Sequence, residues 1–181
     1  TAINGLLIIL PLSGCTPGNI ADFLEIPYVS RKAKPANLVI YSIEESGTSI
    51  DCKGEAFNDG KNTEIRIISA AERKTKDVVI KNCKLRGSIR LIGLGRNSES
   101  SNVRKSSQLL NHTHNAQLHA PTNISLENLE IEAVGPIPLY VGPGSTKVKI
   151  TNSHFMGESN STVIYLDSES SSNVIQHNII D

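Results

Sequence analysis

The residues best suited to acid–base or metal chemistry are three of the five histidines, which fall close together in a polar segment of the chain. They are His112, His114 and His119. Histidine is the usual general base near neutral pH, and His-x-His is a common spacing of metal ligands. No Cys, Asp or Glu stands close enough in sequence to complete a zinc set. The segment is therefore either a metal or catalytic element or a solvated loop; the sequence favours the loop and predicts no metal site.

A second group of residues is suited to binding sugars. Three short apolar runs align at Gly93, Gly142 and Asp167, which places Leu91, Tyr140 and Tyr165 at equivalent positions. Parallel strands lie about 4.7–4.9 Å apart, so tyrosines on adjacent strands would stack. Facing outward, the rings would offer flat apolar faces to sugars; facing inward, they would belong to the core. The polar Asp167 and the glycines at the equivalent positions favour the outward direction. We predict a platform of both tyrosines, with Asp167 beside it and with Arg90 within reach if its strand has the opposite parity.

The elements that must position these side chains belong to an internal repeat. A β-branched residue is followed four places later by asparagine in four copies, which contain Asn82, Asn128, Asn152 and Asn178. The last three asparagines are 24 and 26 residues apart, a period typical of solenoids, whose units bury their apolar faces by stacking. Apolar and polar residues alternate within each copy, which indicates strands, and a second apolar run follows a turn, so each repeat is predicted to contain two strands. The asparagines are predicted to point inward and to bond to one another between stacked strands.

The V-x-I-x-N-x-x-[LIF] frame at this spacing resembles that of the right-handed parallel β-helix proteins. These form the pectin-lyase-like superfamily of polysaccharide lyases, hydrolases, C5-epimerases and phage tailspikes. The resemblance covers residues 37–181 and implies an all-β fold, a right-handed parallel β-helix solenoid with a loop excursion at residues 96–120. No closing strand precedes the last residue, Asp181, so the predicted solenoid is truncated at its C-terminus.

The catalytic residues of that superfamily cannot be carried over to this chain. Its lyases use clustered acidic residues for calcium and an arginine or lysine as base, and its epimerases use an Asp-Pro-His element. The sequence contains no Asp-Pro-His and no tight aspartate cluster on one face of the repeats. The catalytic residues are therefore left unassigned, no cofactor is evident, and calcium is implied by the resemblance alone.

The first 36 residues differ in kind from the repeats. The apolar run at residues 6–12 is too short to span a bilayer as a helix and ends in Leu-Ser-Gly-Cys at Cys15. This ending resembles the bacterial lipoprotein lipobox, whose cysteine carries the lipid. Residues 1–14 are thus predicted to be a remnant of a lipoprotein-type signal peptide, and residues 15–36 a tether and possible N-terminal cap. The alternative is a buried N-terminal strand that happens to end in cysteine.

The remaining cysteines, Cys52 and Cys83, form an even pair if Cys15 is lipidated. Disulfides persist in exported proteins. The two residues lie in similar contexts, one repeat apart if residues 63–69 form the opposing wall. The distance between neighbouring strands falls within the Cα separation of about 4.4–6.8 Å that a disulfide accepts. A disulfide and two stacked free thiols both remain open.

Composition narrows the function further. The chain has 181 residues, a formal net charge of zero, 4% aromatic residues and no tryptophan. This argues for one solenoid domain and against an electrostatic nucleic-acid binder. We predict an exported cell-envelope protein, anchored in a membrane by lipid at Cys15 in the periplasm or outer membrane, or else extracellular. It would bind a polysaccharide, or process one as a lyase, a hydrolase or an epimerase-like enzyme. The alternative is a non-catalytic structural or adhesive solenoid that binds a glycan or a protein.

Overall fold

The computed structural model describes residues 37–70, 72–93, 107–159 and 161–181. They belong to one compact unit, Pro35–Asp181. Cys15, the predicted signal segment and the predicted tether lie outside the described residues, as do residues 94–106 of the polar excursion. Within the described ranges, no helix is both long and apolar enough to cross a membrane.

The described residues form thirteen β-strands, one short α-helix and one 3-10 turn. The strands are β1 (Val39–Ile43), β2 (Ser49–Asp51), β3 (Thr63–Ile68), β4 (Lys76–Lys81), β5 (Lys84–Ile92), β6 (Thr122–Glu127), β7 (Glu130–Ala133), β8 (Leu139–Val141), β9 (Thr146–Thr151), β10 (His154–Met156), β11 (Ile164–Leu166), β12 (Val174–Gln176) and β13 (Ile179–Ile180). The 3-10 turn is Phe57–Gly60, and helix α1 is His112–Leu118.

All of the strand pairings are parallel and join successive repeats. Strands β2, β4, β6, β9 and β12 form a five-stranded sheet, which we call sheet B. Sheet A is eight-stranded: its main path is β1-β3-β5-β7-β10-β13, and β8 pairs with both β5 and β11. The molecule is therefore mostly β, with two parallel sheets, which is compatible with a solenoid-like β fold.

The repeat contains three strands instead of the two expected from the sequence. The unit β6-β7-β8 is followed in register by β9-β10-β11. Strand β5 is long because it pairs with β7 through its first half and with β8 through its second half. The additional strands β7 and β10 have four and three residues. Such segments are too short to display a period of two in the sequence.

The core consists of columns of apolar side chains that run across the strands in register. In sheet A one such column contains Ile67, Leu91 and Val141, all of them buried. In sheet B, Leu126 and Ile150 are paired neighbours and are equally buried. Because side chains alternate between the two faces of a strand, this register fixes which residues face outward.

The repeated asparagines form a turn column, but they do not point inward. Asn82, Asn128 and Asn152 follow the ends of β4, β6 and β9 and have positive φ angles of 55°, 52° and 53°. Asn128 Nδ2 donates to Asn82 Oδ1 at 2.8 Å, as stacking predicts. Asn128 and Asn152 are nonetheless exposed. The predicted inward direction was wrong because the left-handed turn interrupts the alternation of the strand. Asn178 is also outside the column, since the pairing of β9 with β12 puts His177 (φ 57°) in that position.

Candidate functional site

An outward-facing column of polar and aromatic side chains crosses sheet A. The register of β3, β5, β8 and β11 aligns Arg66, Arg90, Tyr140 and Tyr165, which we call the Arg–Tyr column. The predicted alignment at Gly93 was wrong by one residue, because Arg90 and not Leu91 is paired with Tyr140. The residues on either side of Arg66, Arg90 and Tyr140 along their strands belong to the buried core cluster. Because side chains alternate along a strand, the column faces away from that core.

The two tyrosine rings of this column are stacked. Their centroids are 5.7 Å apart, and the ring planes differ by 16°. On the other side of Tyr140, the guanidinium carbon of Arg90 lies 5.6 Å from the ring centroid. This is within the range of a cation–π interaction. Tyr140 is thus held between Arg90 and Tyr165.

The two tyrosines differ in exposure. Tyr140 is 7% exposed, whereas Tyr165 is 36% exposed. Tyr140 therefore faces outward but is covered by its neighbours. The Tyr140 hydroxyl donates a hydrogen bond of 2.5 Å to Asp167 Oδ2. Asp167 follows the end of β11, and its backbone N–H donates to Val141 O at 2.9 Å. The surface open to a ligand is the Tyr165 ring, with Asp167 beside it and Tyr140 behind it.

Sequence reasoning missed an acidic residue at this face. The Glu64 carboxylate accepts hydrogen bonds from Arg66 Nε at 2.5 Å and from Arg90 Nε at 2.9 Å. The Glu64 side chain is 11% exposed. Glu64 and Arg66 flank the buried Ile65 in β3, so both face outward. That alternation was visible in the sequence and could have placed Glu64 and Arg66 beside Arg90. The carboxylate offsets part of the positive charge of the two arginines.

The three histidines do not assemble into a site. His112 Nε2 lies 3.2 Å from Glu169 Oε1, while His119 Nδ1 lies 2.8 Å from the carbonyl oxygen of Asn115. His114 is exposed and lies two positions from His112 on α1, a spacing that puts side chains on different helix faces. In the described part of the chain, no group of three or more His, Cys, Asp or Glu side chains could hold a metal ion.

The helix that carries these histidines is packed against the turns of the repeats. Ala116 is buried, and a Cβ on Gly144 would overlap its backbone carbonyl. Gln117 Nε2 donates to Glu169 O at 3.0 Å, and Gln117 O accepts from Lys74 Nζ at 2.6 Å. Burial of the Lys74 ammonium lowers its pKa. The sequence favoured a solvated loop here; the described C-terminal part of the excursion is instead docked. One of its partners is Glu169, two residues after Asp167.

Two of the cysteines form a disulfide away from the Arg–Tyr column. The Sγ atoms of Cys52 and Cys83 are 2.01 Å apart and the Cα atoms 4.8 Å apart. The disulfide ties the turn after β2 to the turn between β4 and β5. Next to it, Asn82 Nδ2 donates to Asp51 Oδ1 at 2.9 Å. This hydrogen bond is the main reason why the pKa of Asp51 is lowered.

Comparisons with protein families, curated proteins and solved structures find no match for this chain. Its function therefore has to be inferred from the geometry of the described residues.

Proposed function

We propose that the chain is a right-handed parallel β-helix of the pectin-lyase-like kind, and that it binds an extended polysaccharide on the Arg–Tyr column. The parallel pairing of equivalent strands in successive repeats supports the fold. The binding proposal rests on one observation, the exposed Tyr165 ring stacked on Tyr140 and flanked by Asp167. Export, with a lipid anchor at Cys15, belongs to the same proposal.

The chemistry of this face suits a sugar. The flat Tyr165 ring offers an apolar surface to the C–H face of a pyranose, and its hydroxyl can donate to or accept from sugar hydroxyls. Asp167 is a further acceptor beside the ring. Stacking on Tyr140, with Arg90 behind it, holds the Tyr165 ring in place before the ligand arrives. Such preorganisation lowers the entropy cost of binding.

Binding is better supported than catalysis. Glycoside hydrolysis commonly uses two carboxyl groups that act on the substrate as acid and base or as acid and nucleophile. The two carboxylates beside the Arg–Tyr column are engaged within the protein, Glu64 with two arginines and Asp167 with Tyr140. Because Glu64 offsets arginine charge, we expect weak binding that changes little with ionic strength. The proposal is therefore a non-catalytic, glycan-binding surface.

A pair of matched tyrosine variants tests this function. Tyr165→Ala removes the exposed ring, whereas Tyr41→Ala removes a similarly exposed ring on β1 that packs edge-on against Phe57, outside the column. We expect Tyr165→Ala to weaken glycan binding by about tenfold, as loss of a stacked aromatic contact predicts, and Tyr41→Ala to leave it unchanged. A glycan array would identify the ligand, and calorimetry would measure its affinity for each variant.

Far-ultraviolet circular dichroism should be the same for both variants and the unmodified protein. The proposal is wrong if no glycan binds the unmodified chain, or if the two tyrosine variants bind equally well. The double variant with Tyr140→Ala and Tyr165→Ala is a separate test of packing, because Tyr140 is largely covered. Unfolding of that double variant would show that the rings serve the fold.

A further inference from the structure

An open cleft lies beside β1 and β3, with a volume of about 590 Å³. Asn37, Leu38, Val39, Lys61, Asn62 and Arg86 line it. This volume lies within the range of small-molecule sites, about 300–1,000 Å³. The described lining includes two cationic side chains, Lys61 and Arg86, and no acidic one. The cleft is therefore suited to an anion.

The backbone of strands β1, β3 and β5 holds the cleft in shape. Thr63 of β3 is paired with Gly87 of β5. A Cβ on Gly87, whose φ is 139°, would overlap the backbone of Thr63. Glycine thus permits the close approach that brings Arg86 next to Asn62. On the other side, the Val39 N–H donates to Asn62 O at 2.9 Å, which fixes β1 against the same residue.

Both cations have acidic partners that do not line the cleft. Lys61 Nζ lies 3.7 Å from Asp59 Oδ2, and Arg86 Nε lies 3.2 Å from Glu132 Oε1. A lysine ammonium has three donors and an arginine guanidinium five, more than these single ion pairs use. A phosphate or carboxylate could therefore bind to both cations without displacing Asp59 or Glu132.

Asn62 is a second, independent indication of a ligand. Its residue surface is 7% exposed, and its Oδ1 atom is buried without a hydrogen-bond donor among the described residues. A buried acceptor without a partner is unfavourable. If the Asn62 amide turns towards the cleft, a hydroxyl group of a ligand there would supply the missing donor.

We propose that this cleft binds a small hydroxylated organic anion. Its negative group would bind Lys61 and Arg86, a neighbouring hydroxyl would donate to Asn62, and its apolar side would face Leu38 and Val39. A sugar phosphate and a polyhydroxy carboxylate share this chemistry. The cleft is distinct from the Arg–Tyr column and does not depend on the glycan-binding function.

Titration calorimetry on the full chain tests the proposal with four probes: glucose 6-phosphate, gluconate, glucose and inorganic phosphate. We expect glucose 6-phosphate or gluconate to bind at least about tenfold more tightly than glucose and than inorganic phosphate, because only these two probes combine a charged group with alcohol hydroxyls. The tighter of the two identifies the anionic group.

Variants of the lining connect the binding to these residues. Asn62→Asp keeps the shape of the side chain but adds a negative charge, and Arg86→Gln removes a positive one. Each should weaken binding of the anion by about tenfold or more, whereas Arg86→Lys, which keeps the charge, should weaken it less than Arg86→Gln. Lys84→Gln is the matched control, since Lys84 lies on the same strand and pairs with Glu130 at 3.7 Å but does not line the cleft. Tyr165→Ala should have no effect.

Several results would overturn the proposal. They are binding of neither organic anion, equal binding of glucose, and equal losses from Arg86→Gln and Lys84→Gln. Binding of inorganic phosphate as tight as that of glucose 6-phosphate would show an adventitious ion only and would remove the role of Asn62. If Arg86→Gln fails to fold, Asn62→Asp and Arg86→Lys still decide the outcome.

Discussion

The asparagines of the turn column contribute in two ways at the scale of single residues. They tolerate a left-handed backbone conformation, which costs most other residues about 1–2 kcal/mol. Their side chains also extend a hydrogen-bonded series that begins at a carboxylate: Asn82 donates to Asp51, and Asn128 donates to Asn82. Each link joins neighbouring repeats, so the series stabilises the stacking as well as the turn.

Two substitutions at Asn128 separate these contributions. Asn128→Ala loses the hydrogen bond. It also places alanine, which tolerates the left-handed region less well than asparagine, at φ 52°. We expect it to lower the free energy of unfolding by about 2 kcal/mol. Asn128→Gly loses the hydrogen bond but accepts the turn, and should cost about 1 kcal/mol. Urea denaturation measures both values. A larger loss for glycine than for alanine would contradict this division.

Asp51 gives this series a dependence on pH. Its hydrogen bond from Asn82 is the largest of the interactions that lower its pKa. A carboxyl group whose pKa is lower in the folded than in the unfolded chain adds stability above its unfolded pKa, and this stability is lost as the pH falls through the folded pKa. Asp51→Asn should therefore destabilise the protein at pH 6, and the difference should disappear in acid below the ordinary aspartate range.

Thermal denaturation of both proteins between pH 6 and pH 2 would measure this difference. In an Asn82→Ala background the effect of Asp51→Asn should be smaller, because the principal partner is absent. An unchanged effect in that background would assign the pH dependence to other carboxyl groups.

At the scale of secondary-structure elements, helix α1 shows how a short segment can be fixed by glycine. Gly144 has a φ of 75°, and the space that its Cβ would occupy is taken by the backbone of Ala116. Gly135 also has a positive φ, 108°, but a Cβ there would meet nothing within 4 Å. At both positions a residue with a side chain would strain the backbone. Only at Gly144 does the missing side chain also make room for α1.

Alanine at these two positions should therefore lower the free energy of unfolding by unequal amounts. Gly135→Ala should cost about 1–2 kcal/mol from the left-handed backbone alone. Gly144→Ala should cost about 1–3 kcal/mol more, because the helix must move away from the turn. Hydrogen exchange should show the amides of α1 losing protection in Gly144→Ala but not in Gly135→Ala. Equal protection in both variants would mean that α1 does not depend on this contact.

The sequence predicted the elements that have a clear period or lie in a continuous apolar run, and it missed the short elements that have neither. Alternation located β4, β6 and β9, and the aligned runs correctly placed Tyr140 opposite Tyr165. By contrast, β7, β10 and the seven-residue α1 contain too few residues for a period of 2 or 3.6 to stand out. The covering of Tyr140 could not be predicted either, because exposure depends on neighbours from other repeats and not on strand parity alone.

At the scale of the whole described unit, contacts between repeats are made mainly by neighbouring strands. One inward column of sheet B contains Leu126 and Ile175, in β6 and β12 respectively. Leu126 is 0% exposed, with a strand on each side, whereas Ile175 is 41% exposed in the edge strand β12. In a solenoid, the free energy of unfolding is approximately the sum of a contribution from each repeat and a contribution from each interface between neighbouring repeats. Stability should therefore decrease from the central strands towards β12.

Alanine substitutions in this column test that gradient. Leu126→Ala creates a cavity between strands packed on both sides and should cost about 2–5 kcal/mol. Ile175→Ala removes a side chain with only one packed neighbour and should cost about 1 kcal/mol. Hydrogen exchange should show Leu126→Ala lowering the protection of β4, β6 and β9 together, while Ile175→Ala affects β12 with little change in β6. If Ile175→Ala lowered protection equally in all five strands of sheet B, the unit would unfold as a single cooperative structure, and the nearest-neighbour description would not apply to it.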